Sequence, residues 1–255
     1  MGCAPPARID LPSDPGTPFV EFAETYKEIS SACAGVRTIT AELGLSGRAG
    51  DERLRGRVHA GFARPSAMRL EAVAAGQVGF ILAAPNENAV LYLPREDRVL
   101  RKERPEAILA ALTGVDLAPS DLQAILTGCV LANGRATSGR RYPNGWVSLE
   151  LSGPADSTSG GSATLYAQPV DGRWQVRAAR RAGWRIDYPA WQGTFPTTVR
   201  LLSDNQKIAV DVTATISQLE TNLDLEPSTF TVNVPPDALP ITLDELRSSG
   251  PLRGK

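Results

Sequence analysis

Ala107 to Cys129, AILAALTGVDLAPSDLQAILTGC, is the stretch on which the reading of the whole chain turns. Ile108, Leu109 and Leu112 fall on one helical face, and Leu122, Ile125 and Leu126 on another, at the i, i+3, i+4 spacing of a half-buried helix. Pro105 suits a first-turn position, Gly114 can end the first segment, and Ser120 with Asp121 offers a second start after Pro119. Two short apolar helices set between long strand-like runs predict a lid, 105–128, over one face of a sheet.

On either side the period is two. Ile39, Ala41, Leu43, Leu45 and Gly47 alternate with Thr40, Glu42, Ser46 and Arg48, the pattern of a strand with one dry and one wet face. Past a turn at Asp51-Glu52, Arg53, Arg55, Arg57 and His59 alternate with Leu54, Gly56, Val58, Ala60 and Phe62. The basic row reads as a solvated outer face rather than a polyanion site, because no aromatic residues are interleaved on it. Met68, Leu70 and Ala72 lead to a tip at Ala75-Gly76, from which Val78, Phe80 and Leu82 return. Val90 to Leu93 and Val99-Leu100 complete a meander of antiparallel hairpins.

After the lid, turn signals at Asn133-Gly134, Asn144-Gly145, Asp171-Gly172 and Asp204-Asn205 separate further strands. These are Trp146 to Leu151, Ala163 to Gln168, Trp174 to Ala179, Gly183 to Tyr188, Thr197 to Leu202, Ile208 to Ile216 and a last one at Phe230 to Val234. Ser152 to Ser162 reads as a flexible loop. Ahead of the meander, Phe19, Phe22, Tyr26, Ile29 and Cys33 predict an amphipathic helix from Pro18 to Ala34. Ile241 to Arg247 reads as a final helical turn.

The expected fold class is therefore mainly β (α+β), an unclosed antiparallel barrel of about eleven strands with an N-terminal helix and a helical lid. The expected layout is a tether over 1–17, one domain over 18–247 and a disordered tail over 248–255.

Composition narrows the function. With 27 basic against 28 acidic residues and a net charge of -1, no global field draws nucleic acid. The apolar runs, such as Val78 to Pro85, are far short of the roughly 20 residues that span a bilayer. At the start, Met1-Gly2-Cys3-Ala4-Pro5-Pro6 looks like the end of a bacterial lipoprotein signal, which makes Cys3 the expected lipidation site and the membrane a partner through that lipid; the alternative is a native start with an incidental cysteine. Cys33 and Cys129 either pair in an oxidising compartment or are small buried hydrophobes, and spacing does not decide between them.

Catalytic signatures are not found. The single histidine, His59, has no Cys or His at ligand spacing. Ser159-Gly160-Gly161-Ser162 lacks the nucleophile-elbow context, and Walker and dinucleotide glycine patterns are missing. Asp224 with Glu226 reads as loop acids before it reads as a calcium site. The expectation is no catalytic residues, no metal, no cofactor and no enzyme.

Several stretches resemble LolB and, more broadly, the LolA/LolB-like superfamily of lipoprotein localisation proteins. Leu112-Thr113-Gly114-Val115-Asp116-Leu117-Ala118-Pro119-Ser120-Asp121-Leu122, running on through Ile125-Leu126-Thr127-Gly128, looks like the family's lid hairpin. Met68-Arg69-Leu70 with Gly76-Gln77 resembles its strand-turn-strand. Trp174-Gln175-Val176, Pro196 with Val199 to Leu201, Asp204 and Lys207-Ile208 resemble its closing strands. The likeness runs roughly from Phe19 to Ile216.

The resemblance implies a half-barrel that holds the acyl chains of lipoproteins or other lipids in an apolar cavity, receives them from a periplasmic LolA-like donor, and stands as a monomer at the periplasmic face of the outer membrane. The expected lining is Leu43, Leu45, Val58, Phe62, Leu70, Phe80, Leu82, Leu91 and Leu93 from the sheet, with Ile108, Leu112, Leu122 and Ile125 from the lid. The same pattern fits a packed core, which is what a structural or sensing lipoprotein of this fold, bound to a protein partner, would have. The family's receiver carries a bulky apolar residue at a projecting hairpin tip thought to insert into the membrane. Here Ala74, Ala75 and Gly76 hold that place, and Thr221 to Arg247 extends past the LolB-like body.

Overall fold

The structure is a computed structural model, and it describes every residue except 1–7, 51, 75, 114–116, 131–133, 154–161, 182, 204–208 and 250–255. In chain order the elements are β1 (Thr17–Pro18), α1 (Phe22–Ala34), β2 (Thr38–Ala49), β3 (Glu52–Ala63), β4 (Ala67–Ala74), β5 (Gln77–Ala84), β6 (Ala89–Leu93), β7 (Arg98–Glu103), α2 (Pro105–Thr113) and α3 (Pro119–Thr127). Then come β8 (Arg135–Arg141), β9 (Val147–Ser152), β10 (Ser162–Val170), β11 (Arg173–Arg181), β12 (Trp184–Gln192), β13 (Phe195–Ser203), β14 (Val210–Thr221), β15 (Leu239–Pro240) and α4 (Leu243–Ser249). The fold class is the expected one, mainly β and antiparallel with helices, and the strand series do not close. Two compact units share the chain, which passes between them at Gly35/Val36, Gln123/Ala124 and Lys207/Ile208.

In the first unit the strand order is β1-β8-β9-β10-β11-β12-β13. One face carries Leu149, Leu165, Ala179 and Ile186 in register across four strands, all buried. Helix α1 packs against β8 and β11. Its approach to β8 depends on Gly139, where a Cβ would come within 2.6 Å of Phe22 Cβ. The helix begins at Phe22 rather than Pro18, because the Phe19 N–H is taken by Gly139 O at 3.0 Å and Thr17 and Pro18 pair with β8. Phe19 is still buried, its ring 6.1 Å from that of Trp174 with the Arg141 guanidinium 4.7 Å above it.

A buried ion pair holds the N-terminal segment to the same unit. Arg185 and Asp187 on β12 are 5% and 0% exposed and bind each other through Nε to Oδ1 at 2.8 Å and Nη2 to Oδ2 at 3.1 Å. The pair grips the Ile9 backbone twice: Ile9 N–H donates to Asp187 Oδ2 at 3.2 Å, and Arg185 Nη2 donates to Ile9 O. Arg140 Nη1 also donates to Pro15 O at 2.8 Å. The described part of the stretch expected as a tether is thus hydrogen-bonded along the sheet.

In the second unit the order is β14-β2-β3-β4-β5-β6-β7-β15, antiparallel except for the parallel β15–β7 pair. The six strands of the predicted meander lie where the period-two pattern puts them. Beyond β14 the expected strand at Phe230 to Val234 does not form. Pro227–Phe230 is a 3-10 turn, and the Arg69 guanidinium captures Thr231 O at 2.7 Å, so that carbonyl is satisfied without a ladder partner. The chain reaches the sheet again at β15, where Leu239 N–H donates to Asp97 O and Ile241 N–H to Val99 O. Helix α4 then starts with a capping box: Thr242 N–H donates to Glu245 Oε2 at 2.8 Å, and Glu245 N–H donates to Thr242 Oγ1 at 3.2 Å. Ser248 and Ser249, expected in the disordered tail, belong to this helix.

Candidate functional site

The two helices of the deciding stretch form as read. Pro105 opens α2, where its missing N–H costs nothing, and Ile108, Leu109 and Leu112 are buried. Helix α2 packs against α4, so the C-terminal extension supplies a partner for it. Gly114 lies outside the described residues. Helix α3 ends in a Schellman motif at Gly128, with Cys129 N–H donating to Ala124 O at 2.8 Å and Gly128 N–H to Ile125 O at 3.2 Å. The left-handed φ of +72° at Gly128 turns the chain so that Cys129 meets Cys33 in the last turn of α1, Cα to Cα 5.6 Å, and the two form a disulfide. The sequence left that pairing open.

The expected lining residues of the sheet share one face of the second unit. Leu43, Val58, Ala72 and Phe80 stand in register across β2 to β5. Next to that row run Ala41, Ala60, Leu70, Leu82, Leu91 and Leu100 across β2 to β7. Phe62 faces Met68 in a third row, and Leu93 follows Leu91 on the same side. All of these are buried, whereas Leu45, opposite Gly56, is half-buried because glycine offers it no cross-strand side chain. Of the residues expected in the lid, Ile108, Leu112 and Ile125 are buried and Leu122 is half-buried. Of the hairpin tip, Ala74 pairs with Gln77 and Gly76 takes a left-handed φ of +75°, while Ala75 lies outside the described residues.

The opposite face of the same sheet is polar. Arg53, Arg55, Arg57 and His59 are exposed, as a solvated outer row should be. One feature of that face escaped the sequence reading: a cleft of about 610 Å³ over β14, β2, β3 and β4. Its floor has Glu42, His59 and Glu71 in register on three neighbouring strands, with Arg69, Glu220 and Thr229 around it. Arg57 pairs with Glu42 at 3.2 Å and Arg69 with Glu71 at 3.2 Å, which offsets most of the acidic charge. Among the described residues no three His, Cys, Asp or Glu side chains, these included, are placed so that they could hold a metal ion.

In the first unit two aromatic groups lie outside the expected site residues. Tyr188 on β12 is fully buried and its hydroxyl has no hydrogen-bond partner among the described residues; burial pushes its pKa far above the ordinary phenol value. The Trp191 ring lies 5.7 Å from it, and its Nε1 is also buried with no partner among the described residues. The strand was expected to stop at Tyr188, before Pro189. It continues because the β12–β13 register shifts between Asp187 and Ala190, and such a bulge accommodates a proline.

Neither a family model nor a curated protein matches the sequence. Solved structures do match. A LolA superfamily protein from Nitrosomonas europaea aligns with a TM-score of 0.55 at 12% identity, over 82% of this chain and 98% of that one. A DUF1329 family protein from Desulfovibrio piger aligns at 0.55 and 13% identity, over 84% and 98%. The chain has a LolA/LolB-like fold. A putative outer membrane lipoprotein-sorting protein domain from Vibrio parahaemolyticus aligns at 0.50 and 12% identity, over 82% and 97%. Among the described residues no helix is long and apolar enough to cross a membrane.

Proposed function

We propose that this protein is a membrane-anchored, non-enzymatic carrier or acceptor that holds the acyl chains of lipoproteins or other lipids in an apolar cavity. The observation that carries the reading is the set of adjoining rows of Val, Leu, Phe and Met side chains on one face of β2 to β7. The LolA-like fold supports it, as do the two apolar helices α2 and α3 that follow those strands in the chain. Each CH₂ of a guest removed from water contributes about 0.8 kcal/mol, so an unspecific hydrocarbon surface suffices without covalent chemistry.

Lipid on Cys3 would anchor the protein at the periplasmic face of the outer membrane, with a LolA-like protein as donor. The Cys33–Cys129 bridge supports an oxidising compartment such as the periplasm. The second reading, a structural or sensing lipoprotein with a protein partner, is favoured by one observation, the polar cleft on the opposite sheet face.

The test is mass spectrometry of the protein purified from membranes, together with its Leu112→Glu variant. The expected result is a diacylated Cys3, co-purified lipid with the unaltered chain, and loss of that lipid in the variant while circular dichroism still reports folded strands. A milder Leu122→Gln change, at a half-exposed position, should weaken lipid retention with little cost to folding. Unchanged lipid content in both variants would refute the lid assignment; a chain that carries no lipid in any preparation would refute the carrier reading and favour the second.

A further inference from the structure

We propose that the cleft on the polar face of the second unit binds a guanidinium group on an alkyl stem, as arginine carries it, whether free or within a peptide. The proposal goes beyond the carrier reading and is independent of it, because the cleft lies on the face of the sheet away from the apolar rows.

The space is built into the sheet by a missing side chain. Glu220, Thr40, Gly61 and Arg69 stand in register across β14, β2, β3 and β4. Gly61 is buried, yet a Cβ added to it would meet no atom within 4 Å beyond its chain neighbours. It therefore borders empty space rather than packed side chains. Thr229 supplies a wall, in the segment whose carbonyls the Arg69 guanidinium holds. The volume of about 610 Å³ falls within the range of about 300 to 1,000 Å³ usual for small-molecule sites.

Charge decides the sign of the guest. Both ends of the Arg69 fork are engaged, Nη1 with Thr231 O at 2.7 Å and Nη2 with Glu71 Oε2 at 3.2 Å, so Arg69 is poorly placed to receive an anion. Arg57 reaches Glu42 Oε1 at 3.2 Å from the rim. With His59 neutral at pH 7, three carboxylates face two guanidinium groups, and Glu220 is left without an ion pair among the described residues. One positive charge is missing.

Geometry decides the shape of that charge. The acceptors Glu220, Glu42 and Glu71 stand on three different strands and are not placed to hold a metal ion. A guanidinium presents five N–H donors in a rigid planar fork and can serve separated acceptors, where an ammonium is a compact point charge. Its alkyl stem can lie on the bare backbone at Gly61.

The test is calorimetric titration of the full chain with N-acetyl-arginine amide and with N-acetyl-citrulline amide, a neutral isostere of the same length. The unaltered protein should bind the arginine form about 10-fold more tightly, as charge-assisted hydrogen bonds exceed neutral ones. Glu220→Gln, at an exposed side chain, should cut that affinity several-fold and leave the melting temperature unchanged. Gly61→Leu fills the cleft, keeps every carboxylate, and should abolish binding. If acetyl-Gly-Arg-Gly-amide binds more tightly than the single residue, the natural source is a protein segment; equal or weaker binding makes it a free small molecule.

Equal affinity for the two single-residue probes, or none for the arginine form, would overturn the site. Gly61→Leu or Glu220→Gln binding as the unaltered chain does would overturn it too, since the cation would then sit elsewhere. Should Gly61→Leu fail to fold, Glu220→Gln decides alone. Lipid content is read separately, so the carrier reading stands or falls by its own test.

Discussion

Cys33 and Cys129, 96 residues apart in the chain, are joined by a disulfide that ties the last turn of α1 to the residue following the α3 cap. Both cysteines are buried within the first unit, where α1 also packs on β8 and β11. A cross-link that closes a loop of this length removes much of the freedom of the unfolded chain, by about 4 to 5 kcal/mol on the chain-entropy account. Cys33→Ser, and growth of the unaltered protein under reducing conditions, should each lower the melting temperature measured by calorimetry. If the reduced and oxidised proteins melt together, α1 is held by its packing alone.

The Arg185–Asp187 pair predicts a different response. Asp187→Ala leaves a guanidinium with 5% exposure and no carboxylate, and removing one partner of a buried pair typically costs about 3 to 5 kcal/mol. The Ile9 N–H loses its acceptor at the same time. Urea denaturation should therefore show the single variant well below Arg185→Met/Asp187→Leu, in which no charge is stranded. Limited proteolysis should cut near Ile9 faster in the double variant than in Asp187→Ala, because the single change keeps the Arg185 bond to Ile9 O and the double change removes both bonds.

Helix α4 carries a pH dependence of defined sign. The Thr242 N–H, the Arg98 guanidinium and the Thr242 hydroxyl all donate to the Glu245 carboxylate and hold its pKa down to about 2, from an ordinary value of 4.5. A carboxyl whose folded value is depressed contributes stability that is complete above its unfolded value and is lost as the pH falls through the folded one. The contacts of α4 with β7 should hold at pH 5 and weaken between about 4.5 and 2. Amide exchange of α4 followed over that interval tests this, and Glu245→Gln should flatten the response.

How much of this could be read from the sequence depends on what each residue had to reveal. The alternation of Ile39, Ala41 and Leu43 against Thr40 and Glu42 is imposed by a sheet with one buried face, so β2 and its neighbours were legible. Strand β8, RATSGRR, was not: its residues are mostly exposed, and it is a strand only because β1 and β9 pair with it. Phe230 to Val234 has the β-branched alternation of a strand, but the Arg69 side chain claims its Thr231 carbonyl and that of Thr229 just before it, a choice made by a residue 160 or so positions earlier in the chain. The apolar sheet face was legible for the same reason as the strands. Tyr188 and Trp191 were not, because Pro189 between them argues for the end of a strand and only the bulge keeps them in one.

Gly128 offers the sharpest test of how the helix stretch is built. Its φ of +72° lies where a side chain costs about 1 to 2 kcal/mol, and an added Cβ would stand 2.5 Å from the Trp191 ring. Gly128→Ala should therefore destabilise the protein by more than the backbone term alone, since the indole must move as well. A change in the near-ultraviolet circular dichroism and the fluorescence of Trp191 should accompany the loss. The companion change Trp191→Phe removes the ring atoms nearest to the new methyl, so Gly128→Ala should cost less in that background, down to the backbone term. Equal costs in both backgrounds would mean that the glycine serves only the left-handed turn, and that the indole is seated by other contacts.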